Sequence, residues 1–211
     1  MPNRIIGLDL DGVIRHNNKS LGTGDLTKDQ RNRETLQRLS KAGELPQGYY
    51  CTKPEDVIFI DGALESLKLF HVLGIEQYVF TNQEAIGVCA MTENDWHFVR
   101  DVMDFRINQA GGNISGWHWC PHFPDQNCEC RKPKPGMILK FANGYDLSQM
   151  IFVGDNPSDM EAAHNAGCGY KVHILLDTAD AEFNQPSEYA DVTATSLKDA
   201  VVPILNWVFK A

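Results

Sequence analysis

Short β-rich runs alternate along the chain with stretches patterned as helix. The runs fall at 4–8, 57–60, 77–81, 114–119, 150–153 and 171–176, and helices are expected at 63–73, 93–110, 136–143, 158–166 and 197–209. Alternation of this kind predicts an α/β fold with a mostly parallel sheet. Ser196 supplies a cap for the last helix, and Pro157 opens the helix after the run at 150–153. The segment 15–48 breaks the rhythm: it is polar, contains glycine and is expected to be helical only over 28–41. No internal repeat and no low-complexity segment interrupts the remainder.

Charge sharpens the picture of that segment. The whole chain of 211 residues has a formal charge of −9, from 28 acidic and 19 basic side chains. Segment 15–48 runs the other way, with seven basic residues against four acidic ones. A basic insertion after the first strand of an acidic α/β protein would sit over the C-terminal edge of the sheet, where such folds bind ligands. It reads either as a solvated helical excursion or as a substrate-facing lid. The acidic balance argues against a general nucleic-acid coat. The length suits one domain, taken as 1–211. No apolar run is long enough to span a membrane, and Asp9 and Asp11 break the stretch after Arg4, so a cytoplasmic protein without membrane association is expected.

The densest chemical signal lies where apolar runs end. Leu8-Asp9-Leu10-Asp11-Gly12-Val13 carries a strand straight into two carboxylates, and Val153-Gly154-Asp155-Asn156-Pro157-Ser158-Asp159 does the same much later. Acids this close stay ionised at little cost only around a cation, which suggests a hard divalent ion with oxygen ligands. In a parallel sheet both ends lie on one edge, so Asp155 can join Asp9 and Asp11. Thr81-Asn82 adds a hydroxyl and an amide, and Arg131-Lys132-Pro133 adds cations, donors suited to a phosphoryl group. An Asp after a strand is by itself usually a cap or turn residue. Four polar clusters at successive strand ends make that reading insufficient.

Asp9-Leu10-Asp11-Gly12, Thr81-Asn82-Gln83, Lys132 in Arg-Lys-Pro, and Gly154-Asp155 with Asp159 resemble, in order and spacing, the four motifs of haloacid dehalogenase superfamily phosphohydrolases. Cys120-Pro121-His122 followed by Cys128-Glu129-Cys130 resembles the zinc-containing branch that holds histidinol-phosphate phosphatase and D-glycero-D-manno-heptose-1,7-bisphosphate 7-phosphatase. Lys134-Pro135-Gly136-Met137 looks more like the heptose enzyme. The resemblance implies a Rossmann-like, doubly wound sheet with helices on both faces, a minimal cap plus the basic insertion, and a zinc-bound loop at 120–130. It implies that Asp9 is the nucleophile and Asp11 the general acid and base, with magnesium held by Asp9, the Asp11 backbone carbonyl and Asp155. Thr81, Asn82 and Lys132 would hold the phosphoryl group, Arg131 would recognise the rest of the substrate, and Asp159 would support the loop.

Cys120, His122, Cys128 and Cys130 supply four soft ligands and leave no position for water, which is the pattern of a structural zinc site. Free thiols or a redox pair at Cys128 and Cys130 are the bland alternative. His118 could compete as a ligand, but the family pattern favours His122. Cys51, Cys89 and Cys168 are read as ordinary thiols.

Several positions depart from the heptose enzymes. Leu10 replaces a polar residue, Val13 a threonine and Asn156 a lysine, and Glu84-Ala85-Ile86-Gly87-Val88 puts an acid where the family tends to carry Ser-Gly-Ile and then an arginine. Arg31, Arg33 and Arg38 of the insertion are expected to replace the lost cations. The leading expectation is a magnesium-dependent phosphomonoesterase acting on a small sugar phosphate, most like heptose 1,7-bisphosphate, as a monomer. Alternatives are histidinol phosphate, another sugar phosphate, a polynucleotide 3′-phosphate end, or a non-catalytic zinc-loop interaction module.

Overall fold

The computed structural model of the chain describes residues 5–16, 33–45, 49–176 and 185–210. Six parallel strands form one sheet: β1 (Ile5–Leu8), β2 (Glu76–Asn82), β3 (Gly116–Cys120), β4 (Met150–Gly154), β5 (Tyr170–Ile174) and β6 (Val192–Ala194), in the order β3-β2-β1-β4-β5-β6. The order reverses direction at β1, so the crevice of this doubly wound sheet opens beyond the C-terminal ends of β1 and its neighbours β2 and β4.

Side chains alternate across the sheet as a period of two requires. Ile6, Leu8, Val79, Ile151 and Val153 face one layer of helices, made of α2 (Ala63–Val72), α4 (Glu93–Gln109) and α7 (Leu197–Val208). Ile5, Tyr78, Phe80, Met150 and Phe152 face the other, made of α5 (Gly136–Phe141) and α6 (Pro157–Ala166). Helices therefore cover both faces, and the four central strands β2, β1, β4 and β5 are almost wholly buried. Trp96, Val99, Met103 and Ile107 of α4 enter the larger core at helical spacing.

Two expectations change. The run at 57–60 is no strand: Phe59 makes a single antiparallel bridge to Arg15, because the 3₁₀ turn Pro54–Asp56 and the turn at Asp61-Gly62 leave too few residues between them to run along the sheet. The sheet gains β6 instead, a three-residue edge strand beside β5. Within the insertion, the described helix is α1 (Arg33–Ala42), and the first part of the helix expected over 28–41 lies outside the described residues. Leu36 of α1 is buried with Tyr49, Val88 and Phe123. Gln37 Nε2 donates to Gly87 O at 3.1 Å and Ser40 Oγ to Cys89 O at 2.9 Å, so α1 is seated on the segment after α3 (Glu84–Gly87).

Candidate active site

The loop after β1 brings its acids to the crevice. Asp9 is tied to β4 by its backbone N–H, which donates to Val153 O at 2.8 Å. Gly12 then turns with φ +84, and a Cβ there would collide with the Asp155 carboxylate. Only glycine allows the two acidic loops to approach so closely. Asp155 leaves the end of β4, and α6 begins at once: Asn156 caps it by accepting from Ser158 N at 3.0 Å, Pro157 takes the first helical position, and Asp159 Oδ2 accepts from Asn156 N at 3.0 Å.

Lys132 reaches into the middle of these acids. Its Nζ lies 2.6 Å from Asp9 Oδ1, 2.5 Å from Asp159 Oδ1 and 2.8 Å from Phe80 O, with a side chain only 3% exposed. Burial works against the ammonium, but Asp159 and Asp9 outweigh it and hold the Lys132 pKa above the usual lysine value. Burial pushes the Asp9 carboxyl up to about 7, with Asp159 and Asp11 adding to the rise and Lys132 opposing it. Asp155 is raised well above an ordinary carboxylate, again through burial first and neighbouring acids second. Lys132 offsets only part of this crowding of buried acids.

The donor set fits a divalent ion. Asp9, Asp155 and Asp159 each offer an oxygen, all within 4.8 Å of one another. Hard oxygen donors are what magnesium requires, and a bound divalent ion would bring the raised carboxyl pKa values down. The Asp11 carboxylate is not in that group of three. It turns to Arg15, with Nε at 2.8 Å from Oδ1 and Nη2 at 3.3 Å from Oδ2, and to Gln83 Nε2 at 3.2 Å. Gln83 Nε2 also donates to Thr81 Oγ1 at 2.9 Å, which joins the Thr81 hydroxyl to the same network.

The sulfur cluster fits zinc. Cys120, His122, Cys128 and Cys130 converge at Sγ···Sγ distances of 3.3 to 3.5 Å and Sγ···Nδ1 distances of 3.4 and 3.5 Å. Three sulfurs and one nitrogen close the set. His118 is elsewhere, stacked on Phe80 with ring centroids 4.9 Å apart.

The side chains expected to contact substrate have partners within the protein, although Asn82 and Arg131 both line the cavity. Asn82 holds protein rather than pointing its amide at a ligand: Nδ2 donates to Lys132 O and Oδ1 accepts from Lys132 N, both at 3.2 Å. Arg131 does not present an open fork, since Nη1 donates to His122 O and Nη2 to Glu84 Oε2, both at 2.9 Å. Arg33 pairs with Asp125 at 2.9 Å and Arg38 lies 3.8 Å from Glu44, so neither lines the cavity; Arg31 lies outside the described residues. Arg15 does line the cavity, 2% exposed and paired with Asp11, and its Nη1 also lies 2.9 Å from Cys51 Sγ and 3.8 Å from Met103 Sδ. Arg15 and Gln83 were legible as polar residues near motifs, but the partners that bury Arg15 are 36 and 88 residues away.

The strand ends enclose a cavity of about 420 Å³, bounded on the far side by Tyr49, Tyr50 and Glu84. The C-terminal part of the chain, residues 129–200, matches the family model described as HAD-hyrolase-like. The D-glycero-beta-D-manno-heptose-1,7-bisphosphate 7-phosphatase of Yersinia pestis is 32% identical over 159 residues, 71% of this chain and 84% of that one. The chain belongs to this family of haloacid dehalogenase-like phosphatases. Other members differ in the anomer that they are named for: the D-glycero-alpha-D-manno-heptose-1,7-bisphosphate 7-phosphatase of Campylobacter jejuni is 35% identical over 136 residues, 64% of this chain and 78% of that one. The family's fold extends over almost the whole chain. The crystal structure of D,D-heptose 1.7-bisphosphate phosphatase from B. bronchiseptica, complexed with magnesium and phosphate, superposes with a TM-score of 0.73 at 24% identity, covering 96% of this chain and 98% of that one. No helix among the described residues is long and apolar enough to cross a membrane.

Proposed function

We propose that the chain is a magnesium-dependent phosphomonoesterase that works through an aspartyl-phosphate on a small phosphorylated sugar, with heptose 1,7-bisphosphate, the compound its relatives are named for, the first substrate to try. The observation that carries this reading is Asp9: a buried carboxylate at the switch point of a parallel sheet, ion-paired to Lys132 and within ligating reach of Asp155 and Asp159. Asp9 attacks phosphorus while the sugar oxygen leaves with a proton from Asp11, and Asp11 then takes a proton from the water that cleaves the acyl phosphate. Arg15 and Gln83 orient the Asp11 carboxylate for both transfers. Lys132 and the Thr81 hydroxyl face the phosphoryl oxygens, where charge gathers in the transition state. Magnesium, when bound by Asp9, Asp155 and the Asp11 backbone carbonyl, supplies charge neutralisation for the approach of one anion to another.

Zinc belongs to the same reading as a structural ion, held by Cys120, His122, Cys128 and Cys130 next to Arg131 and Lys132. The chain is read as one domain, with residues 15–48 as a cap; Leu36 packed beside the cavity-lining Tyr49 supports that placement. The test is phosphate release from a panel of sugar bisphosphates, sugar monophosphates and histidinol phosphate. Release requires magnesium, and Asp9→Asn lowers kcat/KM by at least about 10³-fold, as expected for loss of a nucleophile. Release that persists in Asp9→Asn would sink the covalent mechanism.

A further inference from the structure

We infer that this site prefers a monophosphate of a neutral sugar or polyol over the corresponding bisphosphate, and that Glu84 is the residue that sets the preference. The inference rests on the phosphomonoesterase reading and adds what the far end of the substrate looks like. Among the described residues, three cations line the cavity, and each is already matched by a carboxylate of the same cavity. Arg15 is buried against Asp11, and Lys132 is held by Asp9 and Asp159. Arg131 is paired with Glu84. Asp155 brings the described lining acids to five against those three cations, so among the described residues one divalent ion restores neutrality and no more before any substrate enters.

The phosphoryl group that reacts has Lys132 and the divalent ion to meet it. A second phosphate would bring up to about two further negative charges. Among the described residues, the guanidinium left for it is Arg131, whose two ends are taken by His122 O and Glu84 Oε2. Binding a phosphate there would require Arg131 to leave Glu84, and would set phosphate and carboxylate side by side where both side chains are less than one-fifth exposed, at 19% and 17%. Tyr50 OH, 3.4 Å from Glu84 Oε1, adds a further hold on the carboxylate. A sugar hydroxyl suits the same pair without displacing it, since it can donate to Glu84 and accept from an Arg131 N–H. The acid that departs from the family's usual loop thus converts a cationic wall into a hydroxyl-binding one.

The experiment is calorimetric binding to the zinc-loaded wild-type protein with calcium in place of magnesium, which keeps every carboxylate and a divalent ion in the cavity, using D-glycero-D-manno-heptose 7-phosphate and the 1,7-bisphosphate. The monophosphate is expected to bind at least about tenfold more tightly. Adding Glu84→Gln shifts the ratio toward the bisphosphate by about tenfold, and Glu84→Ser does the same. Adding Arg131→Gln to Glu84→Gln removes that gain, because the gain comes from the released guanidinium. In the active protein carrying Glu84→Gln alone, the change falls on KM for the bisphosphate rather than on kcat. Tighter binding of the bisphosphate by the calcium-loaded protein, a ratio unmoved by both Glu84 variants in folded protein, or binding of neither compound would overturn the inference. Failure of the catalytic reading is distinguishable: wild type would release no phosphate from either compound while the binding order stood.

Discussion

At the scale of single residues, Lys132 carries more than its contact with a substrate. It is the one cation among Asp9, Asp159 and the Phe80 carbonyl, and its ammonium has almost no access to water. Removing it leaves two buried carboxylates without their partner, a loss that typically costs about 3–5 kcal/mol. Lys132→Met, close in length and apolar, is therefore expected to lower unfolding free energy by that amount in urea at pH 7.5, and magnesium should recover part of the loss. A variant as stable as wild type would show that the pair is dispensable to the fold. Lys132 was legible because it lies two residues after Cys130 and precedes a proline in a recognised motif. Arg15 was legible only as a polar residue near a motif: its pairing with Asp11 is local, but its burial depends on Cys51 and Met103. Asn82 was legible only as a polar side chain at a strand end, since its hydrogen bonds run to a backbone fifty residues away.

At the scale of elements, the long buried strands were the legible ones. β1, β2 and β4 are apolar runs closed by acids or by a hydroxyl, and their bounds differ from expectation by one residue at most. β6 offers three residues at an edge, too few for any alternation to register, and the run at 57–60 has β-forming residues but a turn on each side. The loop from Cys120 to Lys132 has one buried apolar anchor, Phe123, and otherwise gathers its turns around the four clustered Cys and His side chains. Between β3 and α5 it holds only the 3₁₀ turn Pro124–Gln126, and Gly87 sits so close to it that a Cβ would meet Phe123 N and Pro121 O at 2.8 Å. Zinc removal frees this loop, and with it Arg131, Lys132 and the seat of α3. A chelator selective for zinc, with magnesium in excess, should lower the melting temperature by roughly 6–12 °C, the equivalent of about 3 kcal/mol at this size, and abolish phosphate release. Zinc, not more magnesium, should restore both. Activity that survives full zinc loss would separate the loop from the site.

At the scale of the whole molecule, acidity and stability are linked through the crevice. The chain carries a formal −9, and its most perturbed carboxyls are gathered at one sheet edge. Asp9 titrates near 7 in the folded, magnesium-free protein against an ordinary 3.8, so the fold binds a proton that the unfolded chain has released. Linkage gives the sign: this stabilisation is fully present below about 4 and is lost as pH rises through about 7. Asp155, shifted in the same direction, adds to it. In magnesium-free, zinc-replete buffer the melting temperature should therefore fall between pH 5.5 and pH 8.5. Magnesium must displace that proton, so its apparent affinity should weaken by about tenfold per pH unit below 7 for each proton released. Its stabilisation, which grows with the logarithm of occupancy, should be large at pH 8.5 and nearly absent at pH 5.5. The net effect is that magnesium flattens or reverses the pH profile of stability. Scanning calorimetry at four pH values with and without magnesium decides it. A magnesium shift independent of pH would mean that Asp9 is ionised before the metal arrives, and that Lys132 rather than the proton neutralises the crevice.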